Sequence, residues 1–195
     1  MGGCEKVLLE IDNKTILNHI IDTASPQVER LLLNTNSDSE NFSKFQLSII
    51  KDIPNMAPSP LLGVYSTLDW LKKNDIGCDW LMSFPGDCPF FPEDIIPRLM
   101  NLLKSSPKAK VCSVVHNQQI QPLFSLWSST IAESLKKYIE AEKFSVQGFI
   151  KSLPHAALEL SDDNFNGSHS ENKASNWENF FININTSDEL EKAQR

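Results

Sequence analysis

Lys6 stands three residues after an adjacent glycine pair, Gly2-Gly3, in the stretch MGGCEKVLLEIDNK. Glycines let backbone N–H groups approach phosphate oxygens, and an ammonium adds a point charge. The same order also suits an ordinary chain end. The chain holds only seven glycines, so an adjacent pair carries some weight. Asp87, in SFPGDCPFF, lies just beyond an apolar run. One carboxylate with substrate phosphates is a usual way to hold Mg2+, and a turn aspartate after Pro-Gly is the plainer alternative. Asp52 ends another apolar run, LSIIKD. Pro60, Leu61 and Gly63, in PSPLLG, open a helix whose N-terminal amides could meet an anion or a base edge. Standard capping of a strand–loop–helix connection accounts for the same residues. In FININT, strand alternation puts Phe181, Asn183 and Asn185 on one face and Phe180, Ile182 and Ile184 on the other. Two amides on one face fit a polar cleft wall or a half-exposed edge strand.

Other reactive types carry less. His19, His116, His155 and His169 share no ligand spacing. Cys88 follows Asp87 but has no activating base near it in sequence, which argues against a nucleophile. Lys136-Lys137 reads as a solvated helix face.

The elements that must position these residues alternate. KVLLEI reads as a short strand or an extended segment, and TILNHIIDTA as a helix for which Thr15 could serve as N-cap. ERLLLNTN, LSIIKD and DWLMSFPGD read as buried strands, the last stopped by Pro85-Gly86. LLGVYSTLDWLKK puts Leu61, Val64, Tyr65, Leu68 and Leu71 on one helical face. PEDIIPRLMNLLK is a helix that Pro97 either distorts or delays. KVCSVV and LFSLW read as strands, STIAESLKKYIEAEK and SVQGFIKSL as helices, and FFININ as a strand. Thr186 and Glu189 fit a capping box opening a last helix. The polar stretch 161–177 reads as a mobile surface loop. Strands alternating with amphipathic helices predict an α/β fold on a mostly parallel sheet, with ligands at the carboxyl ends of its strands.

At 195 residues the chain is long enough for one full core. A net charge of -7 argues against a nucleic-acid footprint, so any phosphate must be met by a few placed cations or a metal. The four cysteines lack metal-ligand spacing and suit free thiols in a reducing compartment. No signal peptide and no long apolar run is evident, which predicts a cytoplasmic protein without a membrane anchor.

Taken together, these stretches resemble the molybdenum cofactor guanylyltransferases. MGGCEKVLLEIDNKTIL is similar to the family's R-M-G-G-x-D-K-x-L-L segment, and DIPNMAPSPLLGVYSTL to its D…G-P-L-x-G segment. MSFPGDCPFFPEDII resembles the strand–x-x-D-x-P-F motif, QPLFSLW the Q/H-P-x-x-x-L strand, and FININTSDEL the N-I-N-T-P-E-D-L ending. The motifs run in family order over residues 1 to about 190, which makes the combination more specific than any one of them. The resemblance implies a three-layer α/β/α Rossmann-like nucleotidyltransferase fold over 1–195. It implies transfer of GMP from Mg-GTP to the terminal phosphate of molybdopterin, with pyrophosphate leaving. By carry-over, Lys6 and Asp87 are catalytic and Asp87 holds Mg2+. Gly2, Gly3, Asn34, Asp52, Pro60, Leu61 and Gly63 join them in binding the nucleotide, while Gln121, Asn183 and Asn185 face the pterin. GTP and a molybdopterin-type cofactor are the implied substrates. Contacts with a molybdoenzyme or cofactor chaperone and a monomeric state are further expectations. A cytidylyltransferase or other small nucleotidyltransferase is the alternative, as is a non-catalytic remnant that binds nucleotide or a partner.

Departures from the pattern are local except for one. Glu5 stands where the family has Asp, Ser59 where it has the Gly of G-P-L, and Ser187 where it has Pro. The family's apolar strand and L-A-G-G-x-S-x-R loop, which precede its M-G-G, have no counterpart here. Losing such a strand would remove about five buried apolar side chains at roughly 1.5–3 kcal/mol each, against a typical net stability of about 5–15 kcal/mol. The expectation is therefore that Met1 is an internal methionine and that the domain is N-terminally incomplete.

Overall fold

The computed structural model describes residues 6–160 and 180–184. Gly2, Gly3, Asn185, the 161–177 loop and the closing capping box lie outside the described residues. Strands β1 (Glu10–Ile11) and β2 (Lys14–Thr15) form a small hairpin that feeds helix α1 (Ile16–Ala24). Strands β3 (Leu32–Asn34) and β4 (Ser48–Ile50) pair in parallel and lead to helix α2 (Pro60–Lys73). Next come β5 (Trp80–Ser83), α3 (Ile95–Ser105), β6 (Val111–His116) and β7 (Gln119–Ser128). Helices α4 (Ala132–Glu140) and α5 (Val146–Lys151) precede β8 (His155–Leu160).

The larger sheet has the order β5-β7-β6-β8. β6 and β8 are parallel, while β7 is antiparallel to both β5 and β6. Three of the four strands therefore run one way and β7 alone is reversed. The reversal follows from Asn117-Gln118, which hold φ of 50° and 60° and turn β6 back on itself in two residues.

Side-chain alternation sorts the helices into two layers. Cys112, Val114, Phe124 and Leu126 point to one face and share a core with α1 and α3 residues such as Ile16, Ile20, Ile95 and Leu99. Val111 and Trp127 point to the other and pack with Leu61, Val64 and Leu68 of α2 and with residues of α4 and α5. The architecture is thus the α/β/α sandwich expected from the sequence. Capping agrees locally: Thr15 Oγ1 accepts from the Asn18 amide at 3.1 Å, and Ser59 Oγ accepts from the Leu62 amide at 3.2 Å. Pro97 falls in the first turn of α3, so the helix is delayed rather than broken.

Three local readings are corrected. KVLLEI is not one strand: Lys6–Leu8 form a 3-10 turn, and the chain then reverses at Asp12-Asn13, with φ of 51° and 62°. FININ is not an alternating strand over its described part. Phe181 sits at φ 62°, Phe181 and Ile184 are buried, and Ile182 and Asn183 face solvent. Strand β8 was not anticipated, because HAALEL offers only small or widely spaced apolar residues before a polar stretch.

The sheet is divided. Among the described residues β3 pairs only with β4 and β5 only with β7. Between them lies a cleft of about 930 Å³ lined by consecutive residues Leu31 to Asn34 and Trp80 to Gly86. Consecutive residues project to both faces of a pleat, so it is the strand edges that border this space. Leu17 and Ile20 of α1 wall one part of it and Val64 and Leu71 of α2 another.

Candidate active site

The loop after β5 carries Asp87. It is built on aromatic packing: Phe84 stacks on Phe91 with ring centroids 4.7 Å apart, and both contact Phe124. Cys88 is fully buried beneath the loop. Asp87 remains half-exposed. Its carbonyl accepts a hydrogen bond from the Ile184 amide at 2.8 Å, and the Phe90 carbonyl accepts one from the Phe181 amide at 3.0 Å. These two bonds fasten the FININ segment to the loop and explain its bent backbone. On the other side, a Cβ at Gly86 would stand 3.1 Å from Val7 Cγ1. The Lys6–Leu8 turn therefore packs directly on the Gly86-Asp87 turn. The fold thus gathers three segments far apart in sequence, bearing Lys6, Asp87 and Asn183, with Lys6 and Asn183 exposed.

Burial, with a smaller contribution from the Asp87 charge, pushes the Cys88 thiol up to about 12. A protonated thiol is a poor nucleophile, which agrees with the reading that set Cys88 aside. His19 is likewise structural: its Nε2 lies 3.0 Å from the Ile11 carbonyl and its ring meets Phe90 edge-on.

The second cluster forms where β3 and β4 end. Asn34 Nδ2 donates to Asp52 Oδ1 at 3.1 Å and to the Ile50 carbonyl at 3.1 Å. Asn36 Nδ2 donates to Asp52 Oδ2 at 2.8 Å. Asn34 Oδ1 in turn lies only 2.4 Å from where a Cβ would stand on Gly63, so the first turn of α2 needs glycine to seat beside it. Asn34, Pro60, Gly63, Pro85 and Gly86 all line the same cleft, which joins this cluster to the Asp87 loop.

Two candidates contribute differently from expectation. The Leu61 side chain is fully buried in the core, so only its backbone can face a ligand. The Leu62 amide is already taken by Ser59, which narrows what the α2 N-terminus offers. Gln121 is half-buried on β7 opposite Val114, past the end of the β5 ladder and apart from the contacts above. Asn36 was missed by sequence reasoning. It lies beyond the end of β3, and its partner Asp52 is 16 positions away in sequence.

No three His, Cys, Asp or Glu side chains converge on a metal-sized site among the described residues. Mg2+ keeps several waters and binds through one or two carboxylates plus substrate phosphates. The single half-exposed carboxylate of Asp87 fits that donor set. No helix among the described residues is long and apolar enough to cross a membrane.

Residues 1–157 match the MobA-like NTP transferase domain. A molybdenum cofactor guanylyltransferase of Rhodopseudomonas palustris (strain BisB5) is 30% identical over 196 residues, covering 100% of this chain and 87% of that protein. One from Nitrobacter hamburgensis is 34% identical over 137 residues, covering 70% of this chain and 65% of that protein. Among solved structures, molybdopterin-guanine dinucleotide biosynthesis protein A from Archaeoglobus fulgidus superposes with a TM-score of 0.72 at 15% identity. That match covers 98% of this chain and 90% of the other, and shows a shared fold.

Proposed function

The chain belongs to the MobA-like NTP transferase family, and from that premise we propose that it transfers GMP from Mg-GTP to the terminal phosphate of molybdopterin. The observation that carries this reading is the meeting of three segments at one turn. The Lys6–Leu8 turn packs on Gly86, and the Ile184 amide binds the Asp87 carbonyl. A cation, an acid and an amide-bearing segment are thereby gathered beside Gly86, which itself lines a cleft that also presents Asn34, Pro60 and Gly63.

In the reaction an oxygen of the pterin phosphate attacks the α-phosphorus of GTP. A new P–O bond forms, the bond to the β-phosphate oxygen breaks, and pyrophosphate leaves with the electron pair. Such a transfer needs alignment and charge neutralisation more than a protein nucleophile, consistent with a protonated Cys88. Lys6 neutralises the triphosphate. Asp87 would hold Mg2+, which supplies Lewis-acid stabilisation of the phosphate oxygens when bound. Asn34 and Asp52, with the backbone of Pro60 to Gly63, hold the nucleoside. Asn183, carried beside the Asp87 loop, takes the pterin side of the site, the role that the resemblance also gives to Asn185 and Gln121.

The test is GMP transfer with GTP and CTP side by side, in the parent chain and in two variants. GTP should be preferred. Lys6→Ala should lower turnover by about two orders of magnitude or more, the range of removing one charge-stabilising group, with the fold kept because Lys6 is exposed. Asp87→Asn should abolish turnover or raise the Mg2+ requirement. Preference for CTP would move the chain to the cytidylyl branch, and unchanged turnover in either variant would remove that residue from the site.

A further inference from the structure

Beyond the end of their ladder, β3 and β4 are held together by side chains. The Thr35 amide still donates to the Ile50 carbonyl at 3.0 Å, but past that point the bonds come from Asn34, Asn36, Lys51 and Asp52. Asn36 has a distinct place among them. Its Nδ2 donates to Asp52 Oδ2 at 2.8 Å, and its Oδ1 accepts from the Asp52 backbone amide at 2.9 Å. One planar amide thus grips both the main chain and the carboxylate of the same residue. With Asn34 on Asp52 Oδ1, each carboxylate oxygen receives one neutral donor. A carboxylate offers about four lone-pair sites, so roughly half remain for donor groups of a ligand.

Of Asn34, Asn36 and Asp52, Asn34 lines the cleft, while Asn36 and Asp52 do not; Asp52 is joined to it through the Asn34 bond. Asn36 is itself anchored: Lys51 Nζ donates to the Asn36 carbonyl at 3.2 Å, and the Ser37 amide donates to Thr35 Oγ1 at 3.2 Å. Asn34 and Asn36 are exposed and Asp52 is half-exposed. A lone aspartate in such a place would sample several rotamers, and binding would have to freeze one of them. We propose that Asn36 is a positioning residue: it presets the Asp52 carboxylate to accept hydrogen bonds from the nucleoside of the bound nucleotide. The proposal rests on the reading above in which Asp52 helps to hold the nucleoside.

The experiment is a double-mutant cycle read by the dissociation constant of Mg-GTP, with melting temperature as a control. Asn36→Ala should weaken Mg-GTP binding about tenfold, the scale of one well-placed hydrogen bond, with little change in melting temperature. Asp52→Ala should weaken binding at least as much. In the Asp52→Ala background Asn36→Ala should add nothing, because its only route to the nucleotide is gone. Asn36→Asp keeps the shape but sets a second carboxylate against Asp52. It should bind more weakly than Asn36→Ala at low salt and recover as salt screens the pair. In steady state the loss should fall on KM rather than kcat.

Additive effects of the two alanine variants, or a binding change of less than about twofold for Asn36→Ala, would overturn the proposal. If Asp52→Ala also binds normally, the assignment of Asp52 to the nucleotide site fails and the proposal falls with it. If Asp52→Ala binds poorly while Asn36→Ala binds normally, only the positioning role is lost.

Discussion

At the scale of single residues, the site depends on which groups keep their charge. Cys88 sits one residue from Asp87 yet is fully buried, and its thiol is pushed up to about 12 chiefly by that burial. Cys112, also fully buried, is pushed up to about 11 for the same reason. A thiol whose folded value exceeds its unfolded value of 9.0 stabilises the fold fully below pH 9. That contribution is lost as pH rises from 9 toward 12, because the unfolded chain ionises first. Urea midpoints should therefore decline above pH 9, and Cys88→Ala should flatten the decline relative to its own value at pH 7. An equally steep decline in the variant would show that Cys88 is not held protonated by the fold. The same burial predicts that alkylating reagents leave Cys88 and Cys112 unlabelled at neutral pH until the protein unfolds. Asp52 and Asp87 stand out in the sequence because each ends an apolar run, and Lys6 because it follows an adjacent glycine pair. Asn36 does not, because its role lies in a hydrogen-bond pair with a residue 16 positions away.

At the scale of elements, helices were read best. α1, α2 and α3 have caps or prolines at their starts and one apolar face, and these signals are local. The strands β3, β4 and β5 were legible as short apolar runs. What the sequence hid was set by contacts from afar. The bend at Phe181 exists because two amides reach the Asp87 loop. β8 exists because β6 offers it a parallel edge over six residue pairs. The seat of α2 beside β3 is similarly non-local, and it can be tested. Gly63 lies inside α2, where Ala would ordinarily gain about 0.8–1.0 kcal/mol. Its Cβ would stand 2.4 Å from Asn34 Oδ1. Asn34 cannot swing away without losing its bonds to Ile50 and Asp52. Gly63→Ala should therefore destabilise the chain by about 1–2 kcal/mol, the cost of displacing one or two such bonds, and should weaken nucleotide binding. In an Asn34→Ala background the same change should stabilise, by up to about 1 kcal/mol. Urea unfolding of the four chains reads both signs, and stabilisation by Gly63→Ala with Asn34 present would show that the amide is not fixed.

At the scale of the whole molecule, the sheet in two parts dominates. The larger sheet and the β3-β4 pair are each well supported by their own helices, yet they face one another across about 930 Å³ of open space. Leu17, Ile20, Val64 and Leu71 wall it from their buried positions, while Leu32, Leu33, Leu81 and Met82 along it are only partly buried. The cleft-side edges of Leu32 to Asn34 and Trp80 to Ser83 have no ladder partner on that side among the described residues. Such a cleft, with strand edges on both sides and apolar walls, suits an extended apolar segment. Its backbone would bond to an edge on each side while its side chains cover both walls. A ligand that binds the folded state alone stabilises it by RT ln(1 + [L]/Kd), about 2.7 kcal/mol at a hundred times Kd. A soluble peptide of about six residues, rich in Val and Ile, should therefore raise the melting temperature in a saturable way. A control of the same composition with a central proline should not, since proline removes a ladder donor. Methyl signals of Leu33, Val64 and Leu81 should shift with the first peptide and stay put with the second. Equal effects from both peptides would mean that the cleft binds apolar matter without strand geometry. No effect from either would mean that the two parts of the sheet are stable as they stand.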